Sequence, residues 1–348
     1  MSAPVNPSPS QGDLLAAGDL VAGRYHVEGL IGRGGMGEVY AARDVSAEDR
    51  VALKLIHPEL LGSSKTRSRF EREVELTRRI DHPNVLKVRD FLKVEPPGHE
   101  NAQVPCLVME FLEGPTLADH LNERKGPMAS EEAKPIVCQI AAALSAAHRA
   151  GVVHRDLKPD NVFLVPDRKT GGLRAVLTDF GVARADRARK DGGSSKNSDD
   201  SQTFTASNVL IGTPDYMAPE QLELEKAGPL SDLYSLGLVF FEMVTGRLPF
   251  QSKNRLEAVF QRVKEPAPSP RSIRPEIDED CDRVIQRCLQ REPADRYTNA
   301  QEIIRELDGD QSGWLARDPA VDRRRLAAIA TGVFLLILVI ALVLLYAT

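Results

Sequence analysis

An acid, a lysine and an amide stand at offsets of zero, two and five in the run His154-Arg155-Asp156-Leu157-Lys158-Pro159-Asp160-Asn161. Moving a phosphoryl group from a nucleotide to a hydroxyl needs these three groups. A carboxylate orients the hydroxyl, a cation neutralises the group in transit, and an oxygen donor holds a divalent metal. A second metal-ligand candidate, Asp179, opens Asp179-Phe180-Gly181 eighteen residues after Asn161. A polar loop behind an apolar helix would explain the octet alone, but not the second carboxylate at a workable distance.

Gly32, Gly34 and Gly37, in the pattern Gly-x-Gly-x-x-Gly-x-Val39, form the phosphate signal. Glycine lets backbone N–H groups approach phosphate oxygens with no Cβ between. A dinucleotide fingerprint would need a helix directly after the glycines. Here Glu38 to Ala42 alternate like a strand and Arg50 to Leu55 form another, so a glycine-rich hairpin fits better. Lys54 ends the second apolar run. Lysines there are usually solvated, but a carboxylate on the following helix could fix this one for nucleotide phosphates. Among Glu71, Glu73 and Glu75, the spacing from His82-Pro83 selects Glu73.

These groups need elements to position them. Residues 1–22 read as a disordered lead, rich in Pro and Ser at its start. Short alternating runs from Arg24 to Leu55 predict antiparallel strands, followed by a charged amphipathic helix over Thr66–Ile80. Two further strands are expected at Val85–Val94 and Cys106–Phe111, separated by a polar loop. Beyond Gly114 the pattern turns helical, at Thr116–Asn122 and Ser130–Arg149. The expectation is an α+β chain with a strand-rich lobe (about 23–110) and a helical lobe (about 115–307). Arg184–Ser207 has too little apolar content to fold by itself.

The apolar content of 42 % suffices for a core, and a net charge of −5 gives no reason to expect a nucleic-acid partner. Cys106, Cys138, Cys281 and Cys288 have neither C-x-x-C nor metal-ligand spacing and read as reduced thiols. Leu326–Tyr346 is a run of 21 residues without a charge, long enough for a membrane helix. Arg323, Arg324 and Arg325 precede it, which predicts a single-pass segment with residues 1–325 on the cytoplasmic side. A polar linker, 308–325, joins it to the helical lobe, and no secretory signal opens the chain.

The motifs resemble those of the Hanks-type (eukaryotic-like) serine/threonine protein kinases, of the bacterial membrane-tethered kind, over about Tyr25 to Leu307. The resemblance takes in the glycine loop, Lys54, Glu73, the octet, Asp179-Phe180-Gly181, Ala218-Pro219-Glu220, Asp232 and Arg296. It implies a bilobal kinase fold, ATP as phosphoryl donor, Mg²⁺ (or Mn²⁺) as metal, and Ser/Thr hydroxyls of proteins as acceptors. Asp156, Lys158 and Asn161 would then be catalytic, with Asn161 and Asp179 on the metal. Ile31, Gly32, Gly34, Gly37, Val39, Ala52, Lys54, Glu73, Met109, Glu110 and Leu112 would line the ATP site, Met109 as gatekeeper and Glu110 to Leu112 as hinge. Asp232 would brace the catalytic loop and Arg296 would pair with Glu220.

The activation segment, Asp179 to Glu220, carries a polar insertion at Arg189–Ser201. Thr203 and Thr205, with Ser207, match the placement of autophosphorylation sites, and a phosphate there is expected to pair with Arg155. The chain stops just after its apolar run, which predicts a tail-anchored or truncated enzyme. Homodimerisation is left open. A silent scaffold of kinase-like fold is the rival reading, as is a small-molecule kinase. Retention of Lys54, Asp156 and Asp179 weighs against the first, and the Gly212-to-Glu220 segment against the second.

Overall fold

Alternation of apolar residues becomes a six-stranded antiparallel sheet: β1 (Leu20–Val21), β2 (Tyr25–Gly34), β3 (Gly37–Asp44), β4 (Asp49–Ile56), β5 (Val88–Val94) and β6 (Val104–Glu110). The strand order is β1-β2-β3-β4-β6-β5. The computed structural model describes residues 13–61, 63–96, 103–167, 171–180, 214–223, 227–252 and 255–308. Because successive side chains point to opposite faces, each strand serves two clusters. Tyr40, Ala42, Leu53, Leu55, Cys106 and Val108 fill the outer one. Ala52, Leu107 and Met109, with Val39 beside them, form the inner one, covered by Phe70 and Val74 of helix α1 (Ser64–Arg78).

The β2–β3 turn depends on one glycine. Gly37 has φ +153°, and a Cβ there would stand 1.9 Å from the Leu55 carbonyl oxygen, so no other residue fits. Ser63 caps α1 by accepting from the Thr66 N–H at 3.0 Å.

The helical lobe contains α2 (Leu117–Glu123), α3 (Ser130–Arg149), α4 (Pro219–Leu222), α5 (Pro229–Thr245), α6 (Arg255–Lys264), α7 (Glu279–Cys288) and α8 (Ala300–Asp308). Helix α5 is apolar nearly all round (Leu233, Leu236, Leu238, Val239, Phe240, Phe241), as a central helix must be. It packs on α3 and α7. A Cβ on Gly237 would meet the Cys288 Cβ at 2.6 Å, so this glycine sets the closeness of α5 and α7. All four cysteines are buried free thiols.

A hairpin, β7 (Val162–Pro166) and β8 (Leu173–Leu177), lies below the cleft. The lobes meet through the chain after Glu110 and through the segment following α1. Asn84 donates to Gln139 Oε1 at 2.8 Å and to the Ala175 carbonyl at 2.7 Å. The Leu86 N–H donates to the Leu177 carbonyl. A buried, satisfied amide of this kind fixes one arrangement.

One expectation is corrected. Part of the lead taken as disordered, Asp13–Val21, is packed: Leu15 and Val21 lie buried in the outer cluster, and β1 pairs with β2. Two or three apolar residues on an edge strand suffice to dock it, and the Pro/Ser composition before them masked that signal. Residues 1–12, the insertion at 189–201, Thr203, Thr205, Ser207 and the apolar run 326–346 lie outside the described residues. Among the described residues, no helix is long and apolar enough to cross a membrane.

Candidate active site

The catalytic octet is a strained loop held from below. Arg155 adopts φ +64°, a left-handed conformation that costs a residue with a Cβ about 1–3 kcal/mol. Asp232, buried in the first turn of α5, offsets that cost. Its Oδ2 accepts the His154 N–H and its Oδ1 the Arg155 N–H, each at 2.8 Å. The His148 ring lies 2.7 Å from the same carboxylate. Burial pushes the His154 imidazole below its ordinary value, so the ring is neutral. Its Nε2–H donates to the Thr178 carbonyl at 2.8 Å, leaving Nδ1 to accept the Asp156 N–H at 3.3 Å.

That frame presents three polar groups to the cleft. Lys158 Nζ stands 3.9 Å from Asp156 Oδ2. Asn161 Nδ2 donates to the Asp156 carbonyl at 2.8 Å. With its NH₂ turned to Asp156, Asn161 has its amide oxygen as the donor suited to a metal. The β7–β8 register places Val162 opposite Leu177, and the Thr178 N–H donates to the Asn161 carbonyl at 2.9 Å. Asp179 is thereby carried to the same place as Asn161. One carboxylate and one amide oxygen form a hard-oxygen donor set that fits Mg²⁺ or a similar cation.

Lys54 reaches from β4 and donates to Asp179 Oδ1 at 2.5 Å. Burial works to raise the Asp179 carboxyl, but Lys54, with Lys158, outweighs it and holds the group below its ordinary value. The expected Lys54–Glu73 pair is therefore exchanged. Lys54 is engaged by Asp179, and Glu73 Oε1 accepts from Arg155 Nη1 at 3.0 Å across the lobes. The spacing placed both residues at the cleft, but several cations and carboxylates meet there, and separation along the chain does not choose among them.

Val39, Ala52, Met109 and Leu112 gather in one apolar cluster with Phe163, a member the sequence reading missed. Ile31 is exposed at the cleft mouth. A Cβ on Gly34 would meet no atom within 4 Å, so packing does not demand glycine there; close approach of a ligand to the backbone would.

Farther down, Arg296 and Glu220 form the expected pair as a bidentate one, both contacts at 2.8 Å. Ser231 donates to the same carboxylate.

A family model of the protein kinase domain matches residues 25–307. The chain belongs to the Hanks-type protein kinase family. It is 36 % identical over 292 residues to the serine/threonine-protein kinase pkn3 of Myxococcus xanthus, covering 83 % of this chain and 50 % of that protein. It is 31 % identical to PrkC of Bacillus subtilis, covering 83 % of this chain and 41 % of PrkC. The PknI kinase domain of Mycobacterium tuberculosis superposes with a TM-score of 0.63 at 27 % identity, covering 84 % of this chain and 98 % of that domain. The chain thus spans about half or less of the curated relatives it matches.

Within this kinase domain, one further residue escaped the sequence reading. Arg262 of α6 is 2 % exposed and donates from Nη1 to the carbonyls of Pro214 (2.7 Å) and Met217 (2.9 Å). It ties α6 to the stretch before Ala218-Pro219-Glu220. An arginine on a charged helix is ordinarily solvated, so the sequence carried no signal for it.

Proposed function

We propose that the chain is an ATP-dependent protein serine/threonine kinase. The observation that carries this reading is the convergence of Asp156, Lys158, Asn161 and Asp179 on one cleft floor, with Lys54 opposite. Asp156 would accept a hydrogen bond from the attacking hydroxyl and take its proton late in transfer, while Lys158 neutralises charge on the moving group. Asn161 and Asp179 would hold Mg²⁺, which would supply neutralisation of phosphate charge. The glycine turn and the Val39–Ala52–Met109–Leu112 cluster would seat the nucleotide, with Lys54 turning to its phosphates.

Serine and threonine hydroxyls as acceptors are supported by Lys158 within Asp-Leu-Lys-Pro-Asp-Asn and by Gly212-Thr213 before Pro214, which resemble serine/threonine rather than tyrosine kinases. We place the enzyme at a membrane through 326–346, with the kinase domain cytoplasmic. The support is the uncharged run and the three arginines before it. Thr203, Thr205 and Ser207 are the proposed autophosphorylation sites, and a homodimer at the membrane would let one copy act on another.

The test is incubation of the full chain with labelled ATP and Mg²⁺ beside Asp156→Asn, followed by phosphosite mapping. Label in wild type alone is expected. No label from folded wild type, on itself or on a generic basic protein, overturns the assignment.

A further inference from the structure

Glu38 is held by three groups outside the catalytic floor, and none of the reaction steps above uses it. It is 2 % exposed and lies one residue after Gly37, on the outer face of the sheet with Tyr40; Val39 between them faces the cleft cluster. Its Oε1 pairs with Arg33 Nη2 at 2.9 Å. Its Oε2 accepts the Leu14 N–H at 2.9 Å and the Tyr40 hydroxyl. The Tyr40 oxygen accepts the Leu15 N–H at 3.0 Å. Arg33 also pairs with Asp13. One carboxylate thus joins the arm of the glycine-rich turn, strand β3 and the backbone of Asp13–Leu15.

This segment is anchored at its other end as well. The Ala16 N–H donates to Asp19 Oδ2, the Gly18 N–H to the Val27 carbonyl, and Leu20 pairs with His26 in the sheet. Leu15 is buried, so the segment is bound by packing as well as by hydrogen bonds.

We propose that Asp13–Leu15 is a strap that fixes the glycine-rich turn from the face opposite the nucleotide, with Glu38 as the positioning residue that couples the two. The proposal rests on the kinase reading above. Gly34 and Gly35 carry the backbone freedom of glycine, and ordering such residues costs conformational entropy. A strap that holds Arg33 beside them meets part of that cost before nucleotide arrives, the usual route by which preorganisation raises affinity. The two half-exposed contacts of Arg33 would be weak singly; the buried carboxylate makes them one network.

Three variants of the full chain test it, alone and combined: Asp13→Asn, deletion of residues 1–14, and Glu38→Gln. The deletion is expected to raise both the KM for ATP and the Kd for Mg-ADP about three- to tenfold, with kcat and the protein-substrate KM within about twofold. Asp13→Asn should shift them the same way by less. Adding Glu38→Gln to the deletion should do little more than the larger single change, because both cut one network. Leu15→Ala serves as a stability control. If nucleotide affinity follows Tm across all variants, Leu15→Ala included, the strap is structural only and the positioning role is overturned. Unchanged KM and Kd in Asp13→Asn and in the deletion, with active wild type, also overturn it. A folded wild type that neither binds Mg-ADP nor transfers phosphate fails the kinase reading instead.

Discussion

Two sets of ion pairs in this kinase domain behave differently. Beneath the Ala218-Pro219-Glu220 segment, Arg296 and Glu220 are buried, with side-chain exposures of 0 % and 8 %, and both make further hydrogen bonds. In the cleft, Lys54–Asp179 and Arg155–Glu73 join side chains of which three are a quarter exposed or more. Among the described residues the buried pair has no second ion-pair partner, and breaking it would strand a charge. The cleft pairs can trade partners at small cost, because water and neighbouring charges are at hand. The same residue types therefore serve as fixed struts in one lobe and as exchangeable contacts between lobes.

The largest effect should come from the fixed set. Arg296→Met leaves Glu220 buried and unpaired, and is expected to cost about 3–5 kcal/mol in chemical denaturation. A loss under about 1 kcal/mol would erase the distinction between the two sets.

Arg262→Met is the next largest. Two carbonyls lose their donor, a cost of about 1–3 kcal/mol. The protein-substrate KM should rise while the ATP KM holds, as read by initial rates. A change in the ATP KM alone would detach Arg262 from the substrate side.

Glu73→Gln probes the exchangeable set. Its effect on the urea midpoint should correspond to less than about 1 kcal/mol. Phosphorylation should nevertheless fall by about tenfold or more, since Arg155, weakened in its hold on Glu73, neighbours Asp156, and a misplaced acid costs rate rather than stability. A stability loss as large as that of Arg296→Met would make the cleft pairs struts too.

The smallest effect is a pH difference. Burial works to raise the Glu220 carboxyl, but Arg296 and Ser231 outweigh it, so its folded value lies below the ordinary 4.5. A depressed acid stabilises fully above its unfolded value and loses that contribution as pH falls through the folded one. Below about pH 4.5, wild type should lose stability more steeply than Glu220→Gln in a urea series at stepped pH. Parallel curves would show that Arg296 does not hold the carboxylate.

How far the sequence reached follows the same division. Glu220, Asp232 and Arg296 were legible with their partners through the family resemblance, and the octet and Asp179 as residues of the cleft. The strands around the glycine turn were legible from alternation, and α3 from its apolar run. The partners of Lys54 and Glu73 were not. Neither were Arg262 and Glu38, charged residues whose burial depends on what folds over them rather than on their neighbours in the chain. The lead was misread because composition outweighed the few apolar residues, Leu14, Leu15 and Val21, that dock it.

The sequence by itself determined the chemistry, because metal-binding oxygens, a hydroxyl-orienting acid and a phosphate-approaching turn require particular residue types at particular spacings. Tertiary structure alone decided which charge meets which in the cleft, how deeply Glu38 and Arg262 are buried, and that Asp13–Leu15 lies across the glycine-rich turn. Those outcomes depend on distances between segments far apart in the chain, where local spacing holds no information and competing electrostatic contacts differ by little.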